Sequence, residues 1–528
     1  MEAIIKFNSD LRDVPVEDLG QGFGIVNADT DELYSLYSLP GVENVELPKN
    51  VFLNIRSALT ASCITSIQSD ETLGLSGKGV IVGIIDTGVD YTHPEFRFPD
   101  GSTRILSIWD QRTEGVPPDG FNIGTEYTSA QINSALVSND PFSVLPQQDI
   151  GGHGTAVAGI AAGNSGAAPG SSIIAVRVGR AGDDYARSTS LMRALRYVIN
   201  KAREYNMPAA INLSFGMNEG SHNGDSLFEE YITAVSSEWK TSVVIPTGNE
   251  GGAGHHYSGS IKTGETLDIE FFTSSGISGL YLSMWKNYAD DISAELFLPD
   301  GSATGTVYQA TPPVLYRFGD TSVGIIYGQP TVYSTSQEVY FDIRSERGFV
   351  PTGAWRLRLR GLDIANGSFD IWLPTVEQVT TGTYFAVPDN FNTLTIPSTS
   401  QKVIRTSGYN YRIGNIAEFS GKGTPYTNFP DTAAPAVNIT APAVGGGFDT
   451  FTGTSFAAPF VTGSAALLME WGIVMGNSPF LYGERLKAYI RKSARRSSGI
   501  KYPDPSFGYG KLCAGGVPPL SMFLQRSF

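Results

Sequence analysis

The sequence has little cysteine, no long apolar run and a shortage of positive charge. Only two of its 528 residues are cysteines, Cys63 and Cys513, so a framework of several disulfides is excluded and at most one bridge can form. No window approaches about 18 uninterrupted apolar residues, so no transmembrane helix is expected. The net charge of −15 argues against nucleic acid as a partner, because phosphate binding needs a basic face, and against docking on an anionic membrane.

The first residues also lack the pattern of a secretion signal. Residues 1–8 contain no basic stretch followed by a long apolar segment. We therefore expect a protein that is made in the cytoplasm.

A hydrophobic content of 41% in a chain of this length indicates two or three folded domains. Residues 1–60 predict a small α+β domain that ends in the polar run 57–62. Its expected elements are strands at 4–7, 23–26 and 42–47 and a helix over 31–39.

Two stretches, 61–251 and 401–528, carry an α/β pattern. Nearly continuous apolar runs, as in buried parallel strands, alternate with a helical repeat over 190–204. The runs lie at 80–85, 173–178, 209–214 and 242–246. The sequence therefore predicts a mostly parallel sheet flanked by helices.

Between these stretches, residues 252–400 lose the helical signal. Short alternating runs are separated by turn residues, a pattern typical of a β-sandwich or jelly roll. The runs lie at 267–271, 280–285, 295–298, 323–327, 339–343, 355–359 and 369–373. We interpret this region as a β-domain inserted into the α/β domain.

Three residues in separate α/β segments have the chemistry of nucleophilic catalysis. Asp86 directly follows the apolar run 80–85, His153 lies in Gly-Gly-His-Gly-Thr, and Ser455 lies in Gly-Thr-Ser-Phe-Ala-Ala-Pro. A serine hydroxyl needs a base within hydrogen-bond reach, and the base needs an orienting anion. The three therefore predict a catalytic triad, although each residue alone is also typical of an ordinary turn or core position.

A fourth residue, Asn249, completes the expected machinery. The apolar residues after Ser455 predict a helix that begins near it, so its backbone N–H can stabilise negative charge on a reacting carbonyl. Asn249 follows the run 242–246 in a glycine-rich turn and offers a side-chain amide as a second donor. These two groups predict an oxyanion hole.

These motifs, in the order Asp86, His153, Ser455, resemble those of the subtilisin (S8) family of serine peptidases. The resemblance covers about 78–251 and 402–513, and includes Ile211–Gly216, Phe419–Gly423 and Ala434–Ile439. It implies that Ser214, Phe215 and Gly216 pair with the substrate backbone, and that Pro246, Thr247 and Gly248 form a wall of the S1 pocket. It also implies that Glu250 lies near the mouth of that pocket.

The N-terminal domain resembles the family's inhibitory propeptide. The resemblance implies self-cleavage, which we expect between about Ile55 and Gln68, followed by non-covalent retention of the freed domain. A domain of about sixty residues alone has a marginal core.

In its large insertion and its lack of a secretion signal, the chain resembles a narrower group, the clostridial Csp germination proteases. These proteases carry a jelly-roll insertion and activate the zymogen of a spore-cortex lytic enzyme. The resemblance implies that zymogen as protein substrate and incorporation into the spore. A general intracellular or secreted subtilase, and a binding or scaffold protein with a protease fold, stay open as alternatives.

No metal or cofactor is expected. The loop 163–169, where many subtilisins bind calcium, is short and has no carboxylate. Glu95 remains from the usual set of ligands, but one carboxylate alone is a weak calcium site. The adjacent pair His255 and His256 points in different directions on a strand, so we expect a structural or solvent-exposed role.

Overall fold

The computed structural model describes residues 2–8, 11, 14–27, 35–36, 38–46, 54–180 and 186–516. The chain divides into two compact units, Met1–Leu53 and Asn54–Phe528.

The first unit contains a four-stranded antiparallel sheet in the order β2-β3-β1-β4. The strands are β1 Glu2–Phe7, β2 Val16–Gly20, β3 Phe23–Asn27 and β4 Val42–Glu46. Among the described residues of this unit, the buried apolar ones are Ala3, Ile5, Val26, Leu36 and Val45. Strand β2 was not expected, and most of the expected helix over 31–39 lies outside the described residues.

The second unit holds the remaining elements. Its helices are α1 Asn54–Ala61, α2 Thr65–Gln68, α3 Ser129–Leu136, α4 Pro141–Val144, α5 His153–Ala162, α6 Ser188–Glu204, α7 Leu227–Val235, α8 Ala458–Met469 and α9 Gly483–Ser493. Its strands before the insertion are β5 Ile81–Asp86, β6 Ile105–Asp110, β7 Thr125–Thr128, β8 Ser172–Arg177, β9 Ala209–Leu213 and β10 Thr241–Pro246. The inserted strands are β11 His256–Ser260, β12 Thr266–Thr273, β13 Gly279–Asn287, β14 Asp291–Phe297, β15 Val314–Phe318, β16 Thr321–Tyr327, β17 Ser336–Ser345, β18 Gly353–Asp363, β19 Ser368–Trp372 and β20 Tyr384–Phe385. The last strands are β21 Ile404–Tyr409, β22 Thr432–Pro435, β23 Ile439–Pro442 and β24 Phe448–Phe451.

The central sheet has the strand order β22-β21-β10-β9-β5-β8-β6-β7. All its pairs are parallel except β6 with β7, which confirms the predicted mostly parallel sheet. Strand β5 is buried on both faces: Val82 and Ile84 pack with α5 and α8, whereas Ile81 and Ile85 pack with α6 and α7. The carboxyl ends of β5 and β10 therefore meet at one edge of a helix-covered sheet, where side chains can converge.

The boundary between the first two domains differs from the one expected at residue 60. Residues 54–60 belong to the second unit, because α1 and α2 bury Ala58, Leu59, Ile64 and Ile67 in its main core. The polar run 57–62 instead belongs to α1 and the turn after it, with Ser57 and Thr60 exposed and Ala58, Leu59 and Ser62 buried. Cys63 follows α1 and forms a disulfide with Cys513 across a sequence separation of 450 residues, the one bridge that the sequence left open.

The inserted region folds as two antiparallel sheets, in the orders β11-β19-β13-β17-β16-β15 and β14-β18-β12-β20. The sheets share one apolar core, to which each contributes its inward-facing side chains, for example Leu282 from β13 and Leu357 from β18. This arrangement confirms the predicted β-sandwich. Its strands span 256–385, and residues beyond Phe385 return to the α/β domain, where Thr395 N–H donates to the carbonyl of Thr247 at 3.0 Å.

One helical stretch, Thr454–Val474, is long and apolar enough to cross a membrane by composition alone. Its most apolar 18-residue window is 89% buried inside the domain, and α8 within it packs on both α5 and β9. Such burial is typical of the core helix of a globular domain.

Candidate active site

Asp86 and His153 form a direct pair at the carboxyl edge of the central sheet. Asp86 is the last residue of β5, and His153 is the first of α5. His153 Nδ1 lies 2.6 Å from Asp86 Oδ1, the geometry of a proton donated to a carboxylate. The Asp86 side chain is 1% exposed whereas that of His153 is 31% exposed, so the imidazole faces the surface and the aspartate lies behind it.

The close approach of this pair depends on a glycine and on a further acidic residue. A Cβ at Gly154 would collide with the Gly88 carbonyl oxygen, so only glycine lets α5 begin this near to β5. Asp149 accepts hydrogen bonds from the N–H groups of Gly152 (3.1 Å) and Thr155 (2.7 Å) at the start of α5. A carboxylate at a helix N-terminus is favoured by the free N–H groups and the helix dipole.

Asp149 was not recognised from the sequence. An isolated aspartate four residues before a histidine has no distinguishing pattern, and its role depends on a helix start that the structure reveals. It is also linked to Asp86 through Thr87, whose hydroxyl donates to Asp149 Oδ1 at 2.8 Å while its N–H donates to Asp86 Oδ1 at 2.8 Å.

Ser455 lies in a 3₁₀ turn, Thr454–Phe456, that leads into helix α8. The ring of its neighbour Phe456 packs 5.1 Å from the His153 ring, and its other neighbour, Thr454, bonds to Asn249. Ser455 therefore lies, along the chain, between a residue that contacts the base and one that bonds to the expected oxyanion donor. Its own carbonyl accepts from the Ser214 hydroxyl at 3.3 Å, which ties the turn to the end of β9.

Asn249 is oriented by the chain around Ser455. Its Oδ1 accepts hydrogen bonds from both the N–H and the hydroxyl of Thr454, each at 3.1 Å. With the carbonyl end of the amide held in this way, Nδ2 is the end that carries the N–H donors for the reaction centre. This orientation is the one that a side-chain donor of an oxyanion hole requires.

The two segments expected to bind substrate face each other across one further residue. Residues 214–216 continue β9 beyond its last sheet pairing, and residues 246–248 end β10. Thr395 lies between them, since a Cβ added at Gly216 or at Gly248 would collide with its side chain. Among the described residues, Thr395 Oγ1 is buried and has no hydrogen-bond partner.

Thr395 comes from the chain that returns from the inserted sandwich, about 150 positions after Gly248. No local pattern in the sequence connects it with the predicted S1 wall. The structure therefore places a buried hydroxyl between the two segments that were predicted to bind substrate.

The electrostatics of the site raise the pKa of His153. Burial lowers the pKa of His153, but the charge of Asp86, the hydrogen bond to it, and the charges of Asp149 and Glu377 raise that pKa, and the net direction is upward. A raised pKa stabilises the imidazolium that forms when the base takes a proton from the nucleophile.

The loop after α5 is held by protein groups. The Glu95 carboxylate accepts from the Ser165 N–H at 2.7 Å and from the Ser165 hydroxyl at 2.8 Å. The buried guanidinium of Arg104 donates to the carbonyls of Glu95, Ser171 and Ala162. Across the described ranges no group of three or more His, Cys, Asp or Glu side chains is arranged to hold a metal ion.

Both members of the adjacent histidine pair are buried and partnered. His255 Nδ1 lies 2.7 Å from Glu250 Oε2, and His256 Nε2 lies 2.9 Å from Asp370 Oδ1. They point to opposite sides of the junction between the sandwich and the α/β domain. Glu250, expected near the mouth of the S1 pocket, is 3% exposed and engaged in this junction.

Comparisons with known proteins agree with this geometry. The family model described as the subtilase family, Peptidase_S8, matches residues 77–314 and 383–510. The chain therefore belongs to the subtilase family, and the gap in the match falls inside the inserted sandwich.

Individual relatives support the same assignment. The PII-type proteinase of Lacticaseibacillus paracasei is 24% identical over 498 residues, which are 85% of this chain and 25% of that protein. The PIII-type proteinase of Lactococcus lactis subsp. cremoris (strain SK11) is 24% identical over 516 residues, 86% of this chain and 25% of that protein. The chain thus spans about a quarter of the length of these curated relatives.

One solved structure is similar over nearly its whole length. The CspB protease of Clostridium perfringens is 37% identical, with a TM-score of 0.81 over 89% of this chain and 98% of that one. This match confirms the resemblance to the Csp group.

Proposed function

We propose that this chain is a serine endopeptidase in which Ser455 is the nucleophile, His153 the general base and Asp86 the residue that orients the base. The observation that carries the proposal is the 2.6 Å pair between His153 Nδ1 and Asp86 Oδ1, with Ser455 held beside it by its two neighbours. The family membership supports the same reaction class.

The proposed reaction follows from the orientation of each group. With the Nδ1 proton directed at Asp86, Nε2 of His153 is unprotonated and receives the Ser455 proton as Oγ attacks the scissile carbonyl. Negative charge then develops on the carbonyl oxygen, where Asn249 Nδ2 and the Ser455 N–H donate to it. His153 passes its proton to the departing amine, and water repeats the sequence to release the acyl group.

A finer proposal concerns the substrate. The similarity to the CspB protease supports a role in which this peptidase activates a spore-cortex lytic zymogen during germination. Incubation of the purified zymogen with wild type and with Ser455→Ala tests this role. Processing at one site by wild type alone is the expected result, and an uncut zymogen in the presence of an active peptidase would contradict it.

Self-processing is proposed at a site different from the one first expected. The window Ile55 to Gln68 is largely helical, contributes buried residues to the core and includes a disulfide-bonded Cys63. A peptidase binds its substrate as an extended strand, so cleavage there would require α1 or α2 to unfold. We therefore place the cut between Glu46 and Asn54, with the freed unit kept as a non-covalent partner.

Reaction with a fluorophosphonate probe tests the peptidase proposal without knowledge of the substrate. Wild type should incorporate one probe per chain at Ser455, and Ser455→Ala should incorporate none. In subtilisin, loss of the serine lowers kcat by about 10⁶-fold. N-terminal sequencing of the same samples gives the cut site: a processed wild type and a full-length variant are expected, whereas equal processing of both would overturn self-cleavage.

A further inference from the structure

A loop between the last two strands of the inserted sandwich reaches the active site. This β19–β20 loop, residues 374–380, begins after Leu373, the residue that follows β19. It closes on Thr375, whose carbonyl accepts hydrogen bonds from the N–H groups of Gln378 (2.9 Å) and Val379 (3.1 Å). Val379 is buried, so the loop is fastened at its far end.

A buried carboxylate, that of Glu250, holds the first part of the β19–β20 loop. Glu250 Oε1 accepts from the Val376 N–H at 2.9 Å, and its Oε2 contacts His255 Nδ1 and Asn218 Nδ2. Asn218 Nδ2 also lies 3.0 Å from the Leu373 carbonyl. The glutamate expected at the mouth of the S1 pocket is thus committed to the loop and does not face substrate.

The loop brings a second carboxylate to the reaction centre. Glu377 Oε1 accepts a hydrogen bond from Asn249 Nδ2 at 3.2 Å. Because Thr454 holds the other end of the amide, Nδ2 is the donor that the oxyanion of the reaction needs. The negative charge of Glu377 also raises the pKa of His153, so this carboxylate acts on both Asn249 and His153.

We propose that Glu377 is an acidic gate of the oxyanion hole, which occupies Asn249 in the resting enzyme and must leave before the tetrahedral intermediate forms. This inference rests on the proposed peptidase function. The Asn249 amide has two N–H groups, but a carboxylate that holds one of them lies beside the position of the oxyanion, and its negative charge repels the charge that develops there. Glu377 is exposed, so it can rotate away without unpacking the loop that carries it.

The gate makes the inserted domain a participant in turnover. In the resting enzyme a negatively charged side chain occupies the oxyanion hole, as the oxyanion of the reaction would. Small reagents therefore meet a partly blocked site. A bound substrate displaces the side chain by taking its place at Asn249. Glu377 therefore determines how much of the binding energy of the transition state is used to displace the Glu377 side chain from Asn249.

Removing the charge tests the gate. Glu377→Gln keeps the shape and an acceptor oxygen but loses the charge, and Glu377→Ala loses both. We expect the second-order rate of fluorophosphonate labelling at Ser455 to rise about 10-fold in Glu377→Gln and at least as much in Glu377→Ala, a typical size for a hydrogen bond to a charged group. Phenylboronic acid, whose adduct with serine carries a tetrahedral anion, should bind both variants more tightly by a similar factor.

Two controls separate the gate from a structural role. Glu270→Gln removes an exposed carboxylate from β12 of the same sandwich and should label at the wild-type rate. In an Asn249→Ala background, Glu377→Gln should have no further effect on labelling, because no amide then holds Glu377 at the reaction centre. A merely structural residue would instead lower the labelling rate and the melting temperature together.

The outcomes distinguish the gate from the function beneath it. Labelling of Ser455 at an equal or lower rate in both Glu377 variants, with unchanged melting temperature, overturns the gate and leaves the peptidase intact. An increase that persists in the Asn249→Ala background also overturns it. Failure of wild type and Glu377→Ala alike to label at Ser455 overturns the proposed peptidase itself.

Discussion

Strand β5 of the central sheet and strand β18 of the inserted sandwich are buried in different ways. Every residue of β5 is buried, whereas β18 alternates between buried side chains such as Trp355 and exposed ones such as Arg360. A strand covered on both faces can present polar side chains only at its ends. Sites in such sheets lie at the carboxyl ends of the strands, and Asp86 is at the carboxyl end of β5.

The sandwich shows the reverse arrangement. Its interior is a largely apolar cluster, and many polar residues of its strands, such as Arg360, face solvent. His255 lies just before its first strand, and Glu377 lies in the loop between β19 and β20. The α/β domain therefore carries the predicted catalytic residues, whereas the sandwich contacts the site only through its loops.

The largest expected effect separates rate from stability within the α/β domain. Asn249→Ala should lower kcat about 10²–10³-fold with little change in KM, because its amide acts on charge that exists only in the transition state. Steady-state kinetics with a peptide substrate measure the split. A change mainly in KM would instead assign Asn249 to substrate binding.

The junction between the two regions is the next point to break. Trp372 is 1% exposed and stacks between His222 of the α/β domain, at 4.0 Å between ring centroids, and His256 of the sandwich, at 4.8 Å. Trp372→Ala should cost about 3–5 kcal/mol of unfolding free energy, as large core truncations do. Calorimetry should then resolve separate transitions for sheet and sandwich.

Trp355→Ala is the matched control for that experiment. Trp355 lies in the sandwich interior, fully buried, and donates to Thr273 Oγ1 at 2.9 Å. Its loss should lower the sandwich transition and leave fluorophosphonate labelling at Ser455 in place. If the two variants melted identically in one step, the idea of a separable junction would be wrong.

The disulfide offers a smaller effect that belongs to the α/β domain alone. Cys63→Ser opens a bridge that joins the turn after α1 to Cys513, 450 residues away. We expect a loss of about 2–5 kcal/mol, because the bridge restricts the unfolded chain. Denaturant unfolding of Cys63→Ser, Cys513→Ser and the double variant should give equal losses, and unequal losses would point to local packing instead.

The smallest expected effect is on the pH profile. Only neutral His153 can accept the serine proton, and its pKa is raised, so kcat/KM should fall as the pH drops through a midpoint above the ordinary value of about 6.5. Asp149→Asn should move that midpoint down by about half a pH unit, since it removes one nearby charge. A midpoint that stays in place would show that Asp149 acts only by holding the start of α5.

Several features of the fold could be predicted because their determinants are local. The continuous apolar run of β5, the alternation in the inserted strands and the apolar residues after Ser455 each follow from a short repeat. The helix α1 was misread because its polar residues cover one face only, and the half that is buried could not be identified without the core it packs against.

The amino-acid sequence indicated the subtilase family and predicted the three triad residues and Asn249, since each lies in a short motif with its own chemistry. Their surroundings follow from tertiary contacts: Asp149 binds the start of α5, Thr395 packs between Gly216 and Gly248, and Glu250 holds the loop that presents Glu377. Asp149 lies four residues before His153 and Glu250 directly follows Asn249, whereas Glu377 lies 128 residues after Asn249. The role of Asp149 depends on where α5 begins, and the roles of Thr395 and Glu377 depend on how the sandwich and its connections pack on the α/β domain, which no local repeat or motif encodes.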